Sequence, residues 1–228
     1  MAHGSRAVEG QNPQLIKQNL AAKLKEEIIQ GRLAPGQRIV EGQWAKKFGV
    51  AQTSVREALN LLIAEGFATK ASGRSARVTC YSEEDIAQIF ELRSVLEGLS
   101  ARLVALRQPD LAPLETALKE MRKATKSGNA QTLVEADLHF HLRLCELSGN
   151  RFLRAELVAM LVPLFAFVSM RVVQHHQTPL AWESDLARHR RIIELIREGD
   201  PIAAEFAVRA TIQQFSVRAY RIWRREEA

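Results

Sequence analysis

The chain has 228 residues, of which 46% are hydrophobic and 25% charged. This composition is ordinary for a soluble globular protein of one large or two average domains, and it argues against a disordered or fibrous chain. Residues 1–80 hold 12 Lys and Arg against 6 Asp and Glu, whereas residues 81–228 hold 20 of each. The positive excess is therefore confined to the first third, which is the part expected to meet a polyanion such as DNA.

The sequence gives no indication of a membrane or secretory protein. No uninterrupted apolar run reaches the roughly 20 residues of a membrane helix, and no charged-then-apolar leader is present. The longest apolar run, 157–170, contains Pro163 and Ser169 and is predicted to be a buried core helix. Cys80 and Cys145 fit neither a disulfide framework nor a metal-cysteine spacing. We therefore expect a cytoplasmic protein with no membrane partner.

In the first third of the chain, the sequence predicts a small domain of helices and short strands over residues 14–80. It follows a disordered segment at 1–13. A helix begins near Leu15 and ends at Gly31, and a short strand is possible at 37–40. A short helix at 42–48 and a second at about 53–65 flank a tight turn, with the cap placed at Thr53 or its predecessor. Two short strands at 67–70 and 76–79 enclose a basic tip. This order is typical of a winged helix-turn-helix with a β-hairpin wing.

The second helix of such a motif enters the major groove of DNA, so its first residues should be polar or basic. Gln52, Thr53, Ser54 and Arg56 meet this requirement. Arginine can bind a guanine edge and glutamine an adenine edge, while hydroxyls bind phosphate. Arg74 would act from the wing. An ordinary three-helix subdomain with a solvated polar face is the alternative that the pattern alone leaves open.

This region resembles the GntR family of regulators over about residues 15–80. The resemblance implies a dimeric winged helix-turn-helix that binds a palindromic operator in double-stranded DNA. It maps the family's DNA contacts onto Gln52, Thr53, Ser54, Arg56 and Gly73. The family often has Ser-Arg at positions 51–52 and Pro at 54, and Gln52 cannot bind guanine as Arg does, so we expect a different operator. The residues that carry the resemblance are 30–39 (QGRLAPGQRI), Glu41, Trp44-Ala45, Gly49-Val50, 53–59 (TSVREAL), Leu62 and Glu65-Gly66.

Residues 81–228 are predicted to be entirely helical, forming a bundle of six or seven helices. Ser82 and Asp85 have the spacing of a capping box at the first helix. Further helices are expected at about 110–127, 129–147, 150–174, 180–198 and 201–225. Gly199-Asp200-Pro201 combines a C-terminal glycine, a capping aspartate and a proline in the first turn, which marks a helix junction clearly.

A candidate metal site lies within the predicted bundle. Asp137 and His141 are four residues apart, which places a carboxylate and an imidazole on one helix face. His189 is on a later helix, and the three side chains could converge on a divalent ion inside the bundle. The spacing alone also allows each of them to be an ordinary hydrogen-bonded or surface residue.

The C-terminal part resembles the FCD effector domain of the FadR subfamily over about residues 82–222. In that subfamily the domain often holds zinc, nickel or another divalent ion with an organic acid nearby, and some members bind no metal. The resemblance maps the ligands onto Asp137, His141 and His189, and the usual fourth ligand, a histidine, onto Thr211. A threonine hydroxyl is a poor ligand for such an ion, so water or the effector would complete the site. The matching residues are Glu91-Leu92-Arg93, Glu97, 137–142 (DLHFHL), 147–150 (LSGN), Leu153, His189, Gly199-Asp200 and Ala203-Ala204.

Two arginines are candidates for binding an effector carboxylate. Arg93 and Arg171 lie among apolar residues of predicted core helices, where a charge needs a partner. An organic acid would supply one. A salt bridge within the protein, such as Arg93 with Glu97, is the alternative.

Together these features predict a DNA-binding transcriptional regulator, a repressor, that is controlled by a small organic acid and not an enzyme. The effector would favour one of two dimer arrangements and so change the spacing of the recognition helices. A constitutive dimeric DNA binder with a lapsed pocket is the alternative. A metal-dependent enzyme is a remote one, because no nucleophile motif, phosphate loop or dinucleotide fingerprint is present.

Overall fold

The computed structural model describes residues 13–71, 74–174 and 179–224, with side chains placed except at 13, 171–174, 179–181 and 218–224. Nearly all of the predicted disordered segment lies outside these ranges. The described chain divides into two compact units, one ending at Cys80 and one beginning at Tyr81. Its elements are α1 (Pro13–Ile29), α2 (Glu41–Phe48), α3 (Gln52–Ala64), β1 (Ala68–Thr69), β2 (Arg77–Val78), α4 (Glu83–Arg107), α5 (Ala112–Ser127), α6 (Ala130–Leu147), α7 (Arg151–Gln174), α8 (Pro179–Glu198) and α9 (Pro201–Arg224).

The first unit is a three-helix core with a two-stranded antiparallel wing. Helix α1 buries Leu24 and Ile28, and α3 buries Val55 and Leu62. Removing these apolar side chains from water stabilises the unit. Strands β1 and β2 pair through Ala68 with Val78 and Thr69 with Arg77. The mainly helical fold with a winged helix-turn-helix is thus confirmed.

Two local details in this unit differ from the predictions. The short strand that was possible at 37–40 is reduced to one bridge between Arg38 and Arg77, with hydrogen bonds from Ile39 N to Ala76 O and from Val78 N to Gln37 O, because the chain turns into α2 at Glu41. Helix α3 begins at Gln52, one residue earlier than predicted, and its N-cap is Ala51, which makes no side-chain capping hydrogen bond. Thr53 is therefore inside the first turn and is not the cap.

The second unit consists of six described helices, α4 to α9. The predicted capping box at α4 is present: the Asp85 amide donates to Ser82 Oγ at 3.1 Å, and the Ser82 amide donates to Asp85 Oδ2 at 2.8 Å. Helices α4 and α9 pack along each other, and α6 packs between α5 and α7. This packing brings side chains from α4, α6, α8 and α9 around one cavity.

Helix α7 contains the predicted core segment. By length and composition alone, Arg151–Met170 is apolar enough to cross a membrane. Leu157, Leu161 and Leu164 are completely buried within the second unit. We therefore interpret α7 as a helix of the protein core.

Candidate functional site: a buried His-His-Asp cluster and a recognition helix

Asp137 and His141 on α6 meet His189 on α8 at the wall of the cavity. Their three ligand atoms lie within 4.8 Å of one another. Asp137 Oδ1 is 3.0 Å from His189 Nε2 and 3.5 Å from His141 Nε2. The i,i+4 spacing on α6 places the first two side chains on one face, and the packing of α8 supplies the third. One carboxylate oxygen and two imidazole nitrogens thus point to a common centre.

Each imidazole is held through its other nitrogen. His189 Nδ1 lies 2.7 Å from the backbone oxygen of Asp185, and His141 Nδ1 contacts Glu97 Oε2. When a histidine donates its Nδ1 proton to an oxygen, the Nε2 lone pair is left available for a metal. Both rings therefore present Nε2 to the space beside Asp137.

The donor set fits a divalent transition metal ion. Four buried atoms of this group make close contacts without a well-formed hydrogen bond: Asp137 Oδ1 with His189 Nε2, and Glu97 Oε2 with His141 Nδ1. Buried polar atoms are normally hydrogen-bonded, and an unmet cluster of this kind indicates a missing partner. Imidazole and carboxylate ligands suit zinc and nickel, and three protein ligands leave coordination positions open.

The charges of the cluster support binding of a cation. Burial alone would raise the pKa of Asp137, but the adjacent His141 and His189 hold it well below its usual range. Burial alone would lower the pKa of His141, but Glu97 and Asp137 raise it to about 9. In the metal-free protein at neutral pH, a proton on His141 therefore occupies the role that a cation would take.

This protonation predicts a pH-dependent affinity for the ion. The metal-free protein gains stability from charged His141 below pH 6.5 and loses that contribution as the pH rises through about 9. Since a metal binds only the neutral ring, we expect ion affinity to rise about tenfold per pH unit across this window. Calorimetry of Ni²⁺ binding in buffers of different ionisation enthalpy would measure the released proton. An affinity independent of pH would contradict the assignment of His141.

The cavity beside the cluster has a volume of about 50 Å³. This space suits an ion with one or two waters, since a water needs roughly 10–15 Å³ on this measure. Thr211 lines the cavity where the sequence had suggested a fourth ligand, and its hydroxyl donates to the Ala207 carbonyl at 2.8 Å. The lining residues are Arg93, Met121, Ala130, Leu133, Val134, Asp137, His141, Phe165, Val168, Trp182, Asp185, His189, Thr211, Ile212 and Phe215.

The two candidate effector arginines have different outcomes. Arg93 lines the cavity and also forms the salt bridge proposed as its alternative, with Nε donating to Glu97 Oε1 at 2.7 Å. Arg171 is on α7, but its side chain lies outside the described side chains. Of the two, Arg93 is the one whose described side chain borders the cavity.

The first turn of α3 presents its candidate DNA-binding residues to solvent. Gln52, Thr53 and Arg56 are exposed, and Ser54 is partly buried. Arg56 donates through Nε and Nη2 to Glu41 of α2, at 3.1 and 2.8 Å, and Gln52 Nε2 approaches the same carboxylate at 3.3 Å. The two side chains most able to read bases are thus held side by side.

The wing contributes to the same surface. Arg74 is exposed and lines a shallow groove together with Arg38, Gln52 and Lys70. Gly73, the remaining predicted DNA contact, lies outside the described residues. The groove has positive side chains next to the first turn of α3, as an interface with phosphate requires.

Glu41 and Glu97 contact predicted site residues through their carboxylates, but the sequence did not identify either as part of a site. Glu41 contacts Arg56 and Gln52, and Glu97 contacts His141. The i,i+4 spacing of Glu97 predicts its contact with Arg93 but not the one with His141. The contact of Glu97 with His141 depends on how α4 packs against α6, and residue spacing within one helix cannot predict that packing.

Comparison with known proteins gives the same division of the chain. The family model for the FCD domain matches residues 88–214, and that for bacterial regulatory proteins of the gntR family matches residues 16–78. The HTH-type transcriptional regulator YdhC of Bacillus subtilis is 32% identical over 80% of this chain and 81% of its own length. The Glc operon transcriptional activator of Escherichia coli is 26% identical over 83% of both chains.

A solved structure shares the fold. The E. coli McbR/YncC structure has a TM-score of 0.74 and 20% sequence identity, and the match covers 90% of this chain and 97% of that one. At this identity the likeness concerns the fold alone.

Proposed function

Since the chain belongs to the GntR family of bacterial regulators and carries an FCD domain, we propose that it is a cytoplasmic, dimeric repressor controlled by a small organic acid. The observation that carries this proposal is the Asp137–His141–His189 cluster. It opens into a cavity lined by Arg93, so an ion held by the cluster would share this space with a cationic side chain. Both attract a carboxylate.

The proposed ion would be held by Asp137, His141 and His189. When bound, it would offer open coordination positions to a carboxylate oxygen. One of them would be on the α9 side of the cavity, where Thr211 is a poor ligand. The apolar wall, which includes Trp182 and Phe165, would surround the rest of a small ligand. The cavity of about 50 Å³ is below the usual 300–1,000 Å³ of ligand sites, so we expect binding to expand it.

The relatives leave the direction of regulation to experiment. One is named as an activator of the Glc operon, and another, from Paenarthrobacter nicotinovorans, as a D-xylose utilization operon repressor. A metal-dependent enzyme, the remote alternative, gains no support from these DNA-binding relatives. We propose repression relieved by the effector, which would bind one dimer arrangement better than the other.

The test begins with selection of random duplex DNA by the full-length protein at physiological salt. We expect an inverted repeat, and then a 5- to 150-fold change in operator affinity with one of a panel of carboxylates, with and without Zn²⁺ or Ni²⁺. Absence of sequence-selective binding would overturn the regulator assignment. Selective binding that no carboxylate or metal changes would favour the constitutive alternative.

The dimer surface is proposed to lie on the outer side of the α4–α9 pair. Helix α4 exposes Val95, Leu99 and Leu106 at helical spacing, and α9 exposes Ile202 and Phe206. The two sets lie on either side of the line where α4 and α9 meet. On this line Arg102 Nη1 of α4 lies 3.6 Å from Glu205 Oε2 of α9. Such a grouping of exposed apolar side chains is typical of a protein–protein interface. A second copy of the chain is the partner that palindromic DNA requires.

Phe206→Asp is expected to convert the dimer to a monomer at micromolar concentration, because it places a charge in an apolar interface. Analytical ultracentrifugation would measure the change. Phe152→Asp on α7 is the matched control, since Phe152 and Phe206 are 69% and 72% exposed. Equal dissociation by both variants, or by neither, would refute this surface.

A further inference from the structure

We infer that Glu97 is a positioning residue for the ion site, orienting the ligand His141 from a different helix, and that Arg93 holds Glu97 in place. The inference rests on the proposed metal site and deepens it. It assigns Arg93 and Glu97 to one buried chain of contacts that runs from α4 to the ligand on α6. Glu97 acts through His141.

The contacts form a continuous line. Arg93 Nε donates to Glu97 Oε1 at 2.7 Å, and Glu97 Oε2 contacts His141 Nδ1. His141 Nε2 then lies 3.5 Å from Asp137 Oδ1, at the common centre. Glu97 is fully buried, and Arg93 and His141 are 2% and 4% exposed. Each oxygen of the Glu97 carboxylate thus faces a different cationic or donor group.

Glu97 decides which nitrogen of His141 faces the ion. An imidazole can present either nitrogen, and the hydrogen bond at one fixes both the tautomer and the ring orientation. With Nδ1–H donated to the carboxylate, Nε2 is the only nitrogen with a free lone pair. A carboxylate partner also makes the ligand nitrogen more basic than a neutral partner would.

His141 depends on a side chain for this, whereas His189 does not. The Nδ1 atom of His189 is placed 2.7 Å from the backbone oxygen of Asp185, on its own helix. The orientation of His189 is therefore built into α8. The orientation of His141 instead requires that α4 stay in register with α6, so occupancy of the site is linked to the packing of α4.

Arg93 makes a buried carboxylate tolerable at this position. A buried charge without a partner is strongly destabilising, and a paired one is not. The Arg93 guanidinium lies 5.0 Å from the ring centroids of both Phe90 and Phe165, which limit where it can move. These aromatic contacts help to keep Nε directed at Glu97, while Arg93 also lines the cavity.

The experiment measures Co²⁺ binding to the full-length protein, since the visible spectrum of Co²⁺ reports its coordination independently of any DNA activity. Glu97→Gln keeps an acceptor oxygen but removes the charge, and we expect about tenfold weaker binding with a spectrum close to that of the unmodified protein. The double variant Arg93→Met with Glu97→Leu removes the acceptor without leaving an unpaired charge. We expect it to bind 10- to 100-fold more weakly and with an altered spectrum.

Ser100→Ala is the control for nonspecific damage to α4. Ser100 is fully buried on the same helix, and its hydroxyl donates to the Leu96 carbonyl at 3.0 Å without facing the ion. It should leave affinity and spectrum unchanged. Thermal melting of each metal-free variant verifies that it is folded. If the double variant does not fold, Co²⁺ binding by Glu97→Gln alone tests the inference.

The outcomes separate this inference from the proposal it rests on. If the unmodified protein binds no Co²⁺, the ion site itself is wrong. If the unmodified protein binds and folded variants at Glu97 stay within twofold of it with identical spectra, the positioning role is wrong and the ion site stands. Reduced affinity in the Ser100 variant equal to that at Glu97 would likewise overturn the specific role.

Discussion

Asp137→Asn is expected to abolish stable binding of a divalent ion while the protein remains folded. Asp137 supplies the only anionic ligand atom among the three clustered side chains of the described chain. An amide oxygen has the same shape but no charge, so the attraction for a dication is lost. The loss of metal affinity should exceed the 10- to 100-fold loss that follows when a residue hydrogen-bonded to a metal ligand is replaced.

Elemental analysis and competition with a chelating dye would measure this effect. The expected result is about one ion per chain in the unmodified protein and none in the Asp137 variant. Asp185→Asn provides the matched control, because Asp185 also lines the cavity but its side chain pairs with Arg188 at 2.9 Å. Retention of the ion by Asp137→Asn, or its loss in both variants, would show that the cluster is not the binding site.

Arg56→Ala is expected to remove sequence-selective DNA binding. A bidentate arginine contact with a base discriminates roughly 5- to 150-fold. A dimer on a palindrome makes the contact twice, so the combined loss would be about 25-fold to 2 × 10⁴-fold for the selected operator. Binding to random DNA should fall much less, because phosphate contacts supply most of that affinity.

Fluorescence anisotropy with the selected operator and a scrambled duplex would measure both quantities. Arg32→Ala is the matched control, since Arg32 pairs with Glu27 at 3.0 Å much as Arg56 pairs with Glu41. We expect that control to change operator affinity by less than threefold. An equal fall on operator and scrambled DNA would reassign Arg56 to a phosphate contact.

The sequence predicted those features that depend on local spacing. The capping box at Ser82 and the shared helix face of Asp137 and His141 follow from three- and four-residue intervals, and both are present in the structure. The start of α3 was misplaced because Ala51 has no side-chain acceptor to mark it. The possible strand at 37–40 forms only one bridge to the wing, because α2 begins at Glu41 and ends the extended segment.

The arrangement around the cluster required the tertiary structure. The approach of His189 to α6 and of Glu97 to His141 depends on the packing of helices that are distant in sequence. A resemblance to a family can assign such residues to a set of metal ligands. It does not predict which other residues contact those ligands. The contact between Glu41 and Arg56 is a similar case, since these residues lie on consecutive helices whose angle sets the distance.

The pairing of Arg56 with Glu41 also affects how the protein would search a genome. On random DNA, Arg56 must either give up two hydrogen bonds to a carboxylate or stay folded back against α2. A phosphate alone offers little advantage over that carboxylate, whereas a correctly placed guanine edge offers two aligned acceptors. The arginine would therefore remain withdrawn during sliding and extend mainly at the operator. Glu41 would in this way lower the residence time on wrong sites and shorten the search.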